Sequence, residues 1–274
     1  MLTWTKGSLR PAFQKDYNTG RIPMDFTVLT LFPEFLDAFF ANGIIGRAME
    51  QELIKGSSIN VRDFTTDRHN TVDDRPYGGG FGMVMKPDPL FEAIGAAKAA
   101  SPNSRVVLMT PQGKPFNQKM AEEYAQGDTQ GLIFICGRYE GIDERVYARH
   151  VDEEISIGDY VMTGGELAAM TIIDSVARLL PGVLGSCESF QSDSFSDDRL
   201  EYAHYTRPEV FQDMAVPEVL LSGNHGKIEE WRRSSSLKRT FLKRPDLFTQ
   251  KAPDAEEKKI LRQWCNELER LIHG

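Results

Sequence analysis

Cysteine is scarce in this sequence of 274 residues, which contains only Cys136, Cys187 and Cys265. These three lie far apart and in no C-x-x-C or Cys/His metal spacing, which argues against a disulfide framework and against a structural zinc site. Cys136 closes the apolar run IFIC, where a cysteine is more often a small buried hydrophobe than a nucleophile.

Long hydrophobic runs are also absent. No stretch approaches the roughly 20 apolar residues that a membrane helix needs, and the first residues lack the apolar block and small-residue cleavage site of a secretory signal. We therefore expect a cytoplasmic protein with no membrane partner. Residues 1–23 show no hydrophobic period and are interpreted as a disordered N-terminal extension, with Met24 as a candidate start.

Positive charge is in the minority, with a net charge of −8, yet it is concentrated in one window. Residues 227–251 contain eight Lys or Arg and three Asp or Glu, a net charge of +5, so the remainder carries −13. Such a window can face nucleic-acid phosphates. It can equally be a solvated helix face, and charge alone leaves both interpretations open.

Hydrophobic periodicity predicts an α/β fold. The runs DFTVLTLF, RVVLMT and GLIFIC are apolar on both faces, as in parallel strands covered by helices. Helical patterns alternate with them, including one capped by Asp88 with Pro89 at its first position and one capped by Asn117. SINVRDF, residues 58–64, is predicted as a strand and PQGKPF, residues 111–116, as a loop. After about Gly185 the pattern becomes polar, then basic and helical.

Four loops are rich in glycine or in exposed backbone, namely residues 75–83, 109–113, 136–141 and 156–167. In open α/β sheets, ligands bind where loops leave the carboxyl ends of the strands, so the last three are expected to converge on one pocket. YGGGFGM lacks the G-K-[ST] ending of a P-loop, and no G-x-G-x-x-G stands between a strand and a helix. Both patterns argue against a nucleotide-binding loop of those types.

The polar segment SDSFSDDRLEYAHYTRP, residues 192–208, contains three aspartates, Asp193, Asp197 and Asp198. Any of them could accept a proton. The residues alone leave the choice among the three open.

Eight motifs in fixed order resemble the bacterial tRNA (guanine-N1)-methyltransferases of the SPOUT class. They are FTVLTLFPEF, RPYGGGFGMVMKP, TPQGKPF, ICGRYEGIDERV, SIGDYVMTGGELA, DSVARLLPGVLG, DSFSDDRLEYAHYTRP and LLSGNHGKIEEWRR, from residue 24 to near the C-terminus. The resemblance implies methylation of N1 of guanosine 37, next to the anticodon of tRNA, with S-adenosylmethionine as methyl donor. In this family that modification prevents frameshifting in translation.

The resemblance also implies a fold and a domain organisation. A SPOUT-type parallel sheet with a deep trefoil knot is expected over residues 24–184, a linker over 185–192 and a small helical tRNA-binding domain over 193–274. The family acts as a homodimer whose active sites combine both subunits. Its members use Mg²⁺, which we expect to be held loosely because the sequence shows no dedicated metal cage.

The site residues follow from the same resemblance. Asp193 matches the general base and Arg178 the residue that stabilises the guanine O6. The methyl-donor pocket matches Leu108, Met109, Thr110, Pro111, Gly113, Gly137, Tyr139, Glu140, Ser156, Ile157, Gly158, Tyr160, Val161, Met162, Gly164 and Gly165. The tRNA-facing positions match Gly79, Gly80, His204, Tyr205, Arg207, Asn224 and His225.

Two alternatives stay open from sequence. One keeps the fold but modifies another RNA position, against which the HYTRP and SGNH motifs argue. The other is a non-catalytic RNA-binding or assembly module that keeps the donor pocket for regulation, against which the presence of Asp193 and Arg178 argues.

Overall fold

The computed structural model describes residues 23–127, 129–184 and 193–273. The chain forms two compact units, with the division within residues 185–192. Residues 1–22 of the predicted extension and the whole predicted linker lie outside the described residues. The predicted domain boundaries therefore stay predictions.

The first unit is built on a five-stranded parallel sheet with the strand order β2-β1-β6-β5-β7. Its elements are β1 (Met24–Thr30), α1 (Pro33–Phe40), α2 (Gly43–Glu50), β2 (Ile54–Asn60), β3 (Asp73–Asp74), β4 (Val84–Met85), α3 (Pro87–Ala100), β5 (Ser104–Pro115), α4 (Gln118–Gln126), β6 (Gly131–Cys136), α5 (Glu144–His150), β7 (Glu153–Ser156) and α6 (Glu166–Ala177). The predicted α/β class and parallel sheet are confirmed.

The sheet forms where the sequence is apolar on both faces. Every residue of β6 is buried, as are Phe26, Val28 and Leu29 of β1 and Val106 of β5. Parallel strands covered by helices on both sides show this pattern. The long runs of Ile, Leu, Val and Phe therefore form the centre of the core.

Two predicted boundaries are wrong. The strand predicted over residues 58–64 ends at Asn60, because the Asn60 side chain accepts a hydrogen bond from the Arg62 amide (3.0 Å) and starts a 3-10 helix, Val61–Phe64. Helix α3 begins at Pro87, so Asp88 lies in its first turn instead of capping it. Pro87 already has the backbone φ that a first turn needs and no amide hydrogen to satisfy.

Strand β5 pairs with β7 twice. Met109 and Lys114 both lie opposite Ile155, so residues 110–113 leave the sheet and the strand resumes beyond them. The predicted loop 111–116 is thus partly strand. Where the chain returns, a Cβ on Gly113 would lie 2.3 Å from the Ile155 nitrogen, so only glycine fits.

The second unit is mostly helical. It contains β8 (Val210–Phe211), β9 (Met214–Ala215), α7 (Glu218–Leu221), α8 (His225–Lys243), α9 (Leu247–Gln250) and α10 (Ala255–His273). Arg199 is 5% exposed and donates to both carboxylate oxygens of Glu257 at 3.0 Å, while its guanidinium lies over the Phe248 ring. This buried pair joins the segment before β8 to α9 and α10. Among the described residues, no helix is long and apolar enough to cross a membrane.

Candidate methyl-donor pocket and nucleic-acid-facing residues

A cavity of about 320 Å³ lies at the carboxyl ends of β5, β6 and β7. The three loops that leave these ends form its walls, as expected for an open α/β sheet. Of the residues predicted for the methyl donor, the structure brings these together in its lining: Leu108, Met109, Thr110, Pro111, Gly137, Tyr139, Glu140, Ser156, Ile157, Gly158, Tyr160, Val161, Met162, Gly164 and Gly165. Gly113 lies outside the lining, against the backbone of β7.

Glycines shape two walls by allowing close backbone approach. A Cβ on Gly165 would lie 2.9 Å from the Cys136 Cα, and one on Gly164 would lie 2.2 Å from the Arg138 Nε. Gly158 has a φ of 148°, and its amide and carbonyl both bond to the Ser156 hydroxyl. The cavity is therefore bordered by main-chain groups that side chains cannot cover.

The outer rim is apolar. Tyr160 is 56% exposed and Val161 is 89% exposed, while the Tyr160 hydroxyl donates to the Ile157 carbonyl (3.4 Å). Apolar side chains at the mouth of a pocket can cover the face of an aromatic ligand.

A buried ionic network at the cavity wall was not predicted from the sequence. Glu166 has a side chain 2% exposed, pairs with Arg138 (2.9 Å) and accepts a hydrogen bond from the Thr30 hydroxyl (2.7 Å). Arg138 also donates to the Thr163 carbonyl (3.1 Å) and lies over the Phe32 ring. The network ties the ends of β1 and β6 to the start of α6. The only signal in the sequence is a glutamate that follows two glycines and precedes an apolar helix.

Cys136 is unsuited to nucleophilic chemistry. It is 1% exposed, and burial raises the pKa of its thiol well above the ordinary value, with a smaller contribution from the Glu166 charge. The reactive thiolate is therefore disfavoured at neutral pH. The structural interpretation of this cysteine agrees with its place at the end of a buried strand.

The glycine-rich loop lies next to the cavity wall. Strands β3 and β4 form a short antiparallel hairpin whose tip contains Gly79 and Gly80. The Glu140 amide donates to the Met83 carbonyl (3.0 Å), and the Met85 amide donates to the Gly141 carbonyl (2.9 Å). These bonds attach the base of the hairpin to the loop of residues 136–141. Neither Gly79 nor Gly80 lines the cavity.

Two of the three candidate acids are engaged elsewhere in the second unit. Lys251 donates to an Asp197 carboxylate oxygen (2.6 Å) and lies 3.4 Å from that of Asp198. The hydrogen bond that the Lys251 ammonium donates to Asp197 is the main cause that raises the pKa of Lys251. The carbonyl of Asp193 accepts from the Ser196 amide (3.2 Å), so Asp193 begins the turn that presents this pair.

Arg178 lies in the first unit, as the residue that ends α6. Its amide donates to the Asp174 carbonyl (3.2 Å), and its backbone is still helical. The side chain is half-buried and takes part in an interaction of its own.

The other predicted tRNA-facing residues are exposed in the second unit. His204 lies 3.5 Å from Glu201, and the Tyr205 ring packs near Trp231. Arg207 is exposed, and His225 is the first residue of α8. Asn224 has a structural task as well, since its side chain caps α8 by accepting from the Lys227 amide (3.2 Å).

The basic window is partly neutralised within its own unit. Carboxylates pair with five of its eight cations, namely Arg232, Arg233, Lys238, Arg244 and Lys251. Lys227, Arg239 and Lys243 have no ion pair among the described residues, and Lys227 and Lys243 are exposed. The candidate phosphate-facing patch therefore consists of these three residues.

Residues 23–127, 129–184 and 193–273 hold no group of three or more His, Cys, Asp or Glu side chains arranged to bind a metal. The predicted Mg²⁺ thus has no set of ligands here, and we derive no step from it.

A larger cavity, of about 510 Å³, lies at the amino ends of β5 and β7, lined in part by Arg105, Tyr124 and Glu153. Glu153 accepts from both Arg105 (3.0 Å) and the Tyr124 hydroxyl. These polar groups satisfy each other, and none of the glycine-rich loops reaches this cavity. The smaller cavity is therefore the better candidate for a functional site.

Comparison with known proteins identifies relatives of the whole fold. Proteins named tRNA (guanine-N(1)-)-methyltransferase from Desulfatibacillum aliphaticivorans, Staphylococcus carnosus (strain TM300) and Geotalea uraniireducens (strain Rf4) are 51%, 50% and 53% identical over 249, 245 and 248 residues. The alignments cover 91%, 89% and 90% of this chain and 94%, 99% and 98% of theirs. The family described as tRNA (Guanine-1)-methyltransferase TrmD matches residues 24–250. With these matches and a cavity built by the family's loops, the chain belongs to the TrmD family of tRNA (guanine-1)-methyltransferases.

Proposed function

We propose that this protein transfers the methyl group of S-adenosylmethionine to N1 of guanosine 37 of tRNA, and so limits frameshifting in translation. The observation that carries the proposal is the cavity itself. Three loops that are distant in sequence line one pocket with the residues that the family resemblance assigns to the donor. We propose a cytoplasmic location on the same resemblance.

The lining fits the donor chemically. The Gly137 amide and the backbone of Gly164 can hydrogen-bond the edge of an adenine, and Tyr160 and Val161 can cover its face. The Gly165 amide already donates to the Gly137 carbonyl (3.2 Å) and helps to hold this wall in place. Glu140 also lines the cavity and can attract a cationic ligand. When bound, the sulfonium supplies an electrophilic methyl group.

The acceptor needs a base. N1 of neutral guanine carries a proton, so its lone pair becomes available only as that proton leaves. Asp193 is the proposed acceptor of the proton. The choice of Asp193 among the three acids rests on its match to the family's general base in the motif DSFSDDRLEYAHYTRP.

Negative charge develops on the guanine O6 as the proton leaves. A fixed cation there lowers the barrier in the manner of an oxyanion hole. Arg178 is the proposed cation. Its place at the C-terminal cap of α6 supports the role, because a charge positioned before the reaction costs little reorganisation.

We also propose the deep trefoil knot of the SPOUT class. Support comes from the path between β7 and α6. Strand β7 is the edge strand beyond β5, yet Gly165, at the end of that path, lies against Cys136 of β6 and Met109 of β5. The chain thus turns back over the ends of β5 and β6, beside the excursion of residues 110–113.

A homodimer with active sites shared between subunits is likewise proposed from the family resemblance. Exposed apolar side chains on the first unit, such as Phe35 at 47% and Leu167 at 51%, provide surface of the kind that subunit interfaces cover.

The defining experiment is transfer of a labelled methyl group to unmodified tRNA transcripts. We expect incorporation into a transcript with guanosine at position 37 and none when adenosine replaces it. Equal labelling of both would favour another RNA position, and no labelling of any tRNA would favour the non-catalytic module.

The affinity for tRNA should fall with salt while that for the donor barely changes. Each phosphate contact adds about 0.7 to 0.9 to the slope of log affinity against log salt. Lys227→Ala and Lys243→Ala should each reduce the slope by about that amount. Arg244→Gln is the matched control, because Asp246 already binds this guanidinium through two hydrogen bonds of 2.9 and 2.8 Å. A slope unchanged in both lysine variants would refute the patch.

A further inference from the structure

Two aromatic side chains at the tip of the glycine-rich hairpin bury almost none of their surface against the described part of the chain. Tyr77 is 101% exposed and Phe81 is 99% exposed. A large aromatic side chain buries 150–250 Å² when it packs, so leaving two in water forgoes substantial stabilisation. The fold gives no reason for these rings, which suggests that a ligand does.

The backbone between the rings is set by glycine. Gly78, Gly79, Gly80 and Gly82 have φ values of 85°, 80°, 124° and 83°, a region that other residues rarely adopt. A Cβ on Gly78 or Gly79 would meet nothing within 4 Å, so conformation and not packing requires glycine there. Between the two rings the loop therefore presents backbone groups that no side chain covers, although the Gly79 amide already donates to the Pro76 carbonyl (3.3 Å).

The hairpin is anchored to the cavity wall. Besides the two backbone hydrogen bonds at its base, the amide of Asp143 donates to the Met85 carbonyl (3.0 Å). A Cβ on Gly82 would lie 2.4 Å from the Glu140 carboxylate, so this glycine packs directly on a residue that lines the cavity. Whatever the rings bind is thus held beside the predicted methyl donor.

The chemistry of the tip selects the ligand. The segment PYGGGFGM, residues 76–83, has no charged side chain, so its side chains offer no ion pair to a phosphate. Two rings separated by glycines also do not make the continuous apolar patch that a protein partner needs. Aromatic faces with exposed main-chain groups between them suit an unpaired base, which can stack and be bonded at its edge.

We propose that Tyr77 and Phe81 form a stacking clamp for an unpaired base adjacent to the target guanosine. The inference rests on the proposed function, since it takes the target to be in a single-stranded loop of tRNA. It adds that the loop is recognised through base faces, by side chains distinct from those that hold the methyl donor.

The test is a double-mutant cycle that combines protein variants with altered RNAs. Affinity is measured for Tyr77→Ala, Phe81→Ala and the wild type, with tRNA transcripts joined from two halves. One transcript has normal bases, and others have an abasic nucleotide 5′ or 3′ to the target. Loss of a stacked base raises Kd about 5- to 150-fold. We expect each alanine variant to show a penalty in this range on normal tRNA, and a penalty below about twofold on one of the abasic transcripts.

Two further measurements separate stacking from other causes. Tyr77→Phe and Phe81→Tyr should bind tRNA about as tightly as the wild type because each keeps a ring. In a further transcript, 2-aminopurine replaces the base at the position that is abasic in the other RNAs. Its fluorescence should be quenched on binding to the wild type and should stay high with the alanine variants. The donor Kd of every variant, measured by calorimetry, reports whether the first unit is folded.

An equal penalty on normal and abasic tRNA, or none on either, overturns the clamp. So does a shift in oligomeric state in Tyr77→Ala or Phe81→Ala, since the rings would then contact a second copy of the chain. Failure of the proposed function looks different: the wild type would transfer no methyl group to any tRNA, whatever the alanine variants do to binding.

Discussion

Asp193→Asn is expected to lower the turnover of methyl transfer by about 10²- to 10⁴-fold, the usual contribution of a general base. Asparagine keeps the shape of the side chain but cannot accept the N1 proton at neutral pH. Because the reaction cannot proceed until that proton leaves, the loss should appear in kcat. The donor and tRNA dissociation constants should remain close to those of the wild type, as measured by calorimetry and filter binding.

Asp197→Asn and Asp198→Asn are the matched controls. Both acids are neighbours of Asp193 in sequence, and both are exposed partners of Lys251. Exposed ion pairs contribute about 0.2–1 kcal/mol to stability, so these variants should remain folded and active. Turnover of Asp193→Asn near that of the wild type, or an equally severe loss in Asp197→Asn, would show that the base has been misassigned.

Glu166→Leu is expected to destabilise the first unit by about 3–5 kcal/mol, the usual effect of removing one partner of a buried ion pair. The Arg138 side chain, 21% exposed, would lose its carboxylate, and the Thr30 hydroxyl would lose its acceptor. Arg138 also bonds the Thr163 carbonyl in the cavity wall. Donor affinity should therefore fall together with the free energy of unfolding, measured by denaturant titration.

Arg105→Gln provides the comparison within the same unit. Arg105 pairs with Glu153 at 3.0 Å, but its side chain is 45% exposed. We expect a loss of less than about 1 kcal/mol and an unchanged donor Kd. Equal stability of Glu166→Leu and the wild type would show that the buried network contributes nothing beyond filling space.

The parts of the fold that sequence predicts are those with local causes. β1, β6 and the first half of β5 are runs of apolar residues long enough to read directly, and their burial matches. The second pairing of β5 with β7, at Lys114 and Ile155, was not predictable from periodicity, because the polar residues there pair with a strand some 40 positions away. Asn60 ended a strand through a side-chain bond to the backbone, which alternation of apolar residues cannot reveal.

The candidate site was likewise predicted only in part. Family motifs named most of the cavity lining, but Arg138 and Glu166 were overlooked although they belong to two of those motifs. From sequence alone, charged residues next to glycines are interpreted as surface residues. Only the three-dimensional structure shows that Arg138 and Glu166 pair with each other. Gly113 was assigned to the pocket from its motif, whereas its contact is with the backbone of β7.

The glycine-lined walls bear on how resistance to an inhibitor could arise. A compound bonded to the main chain at Gly137 and Gly164 and packed against Gly165 would contact atoms that no codon change can delete. Nor could a larger side chain block it at Gly165, where a Cβ would lie 2.9 Å from the Cys136 backbone. Escape mutations would fall where the walls leave room for a side chain, such as Gly137, where a Cβ would meet only Ile142 at 3.5 Å, or Val161, which is 89% exposed.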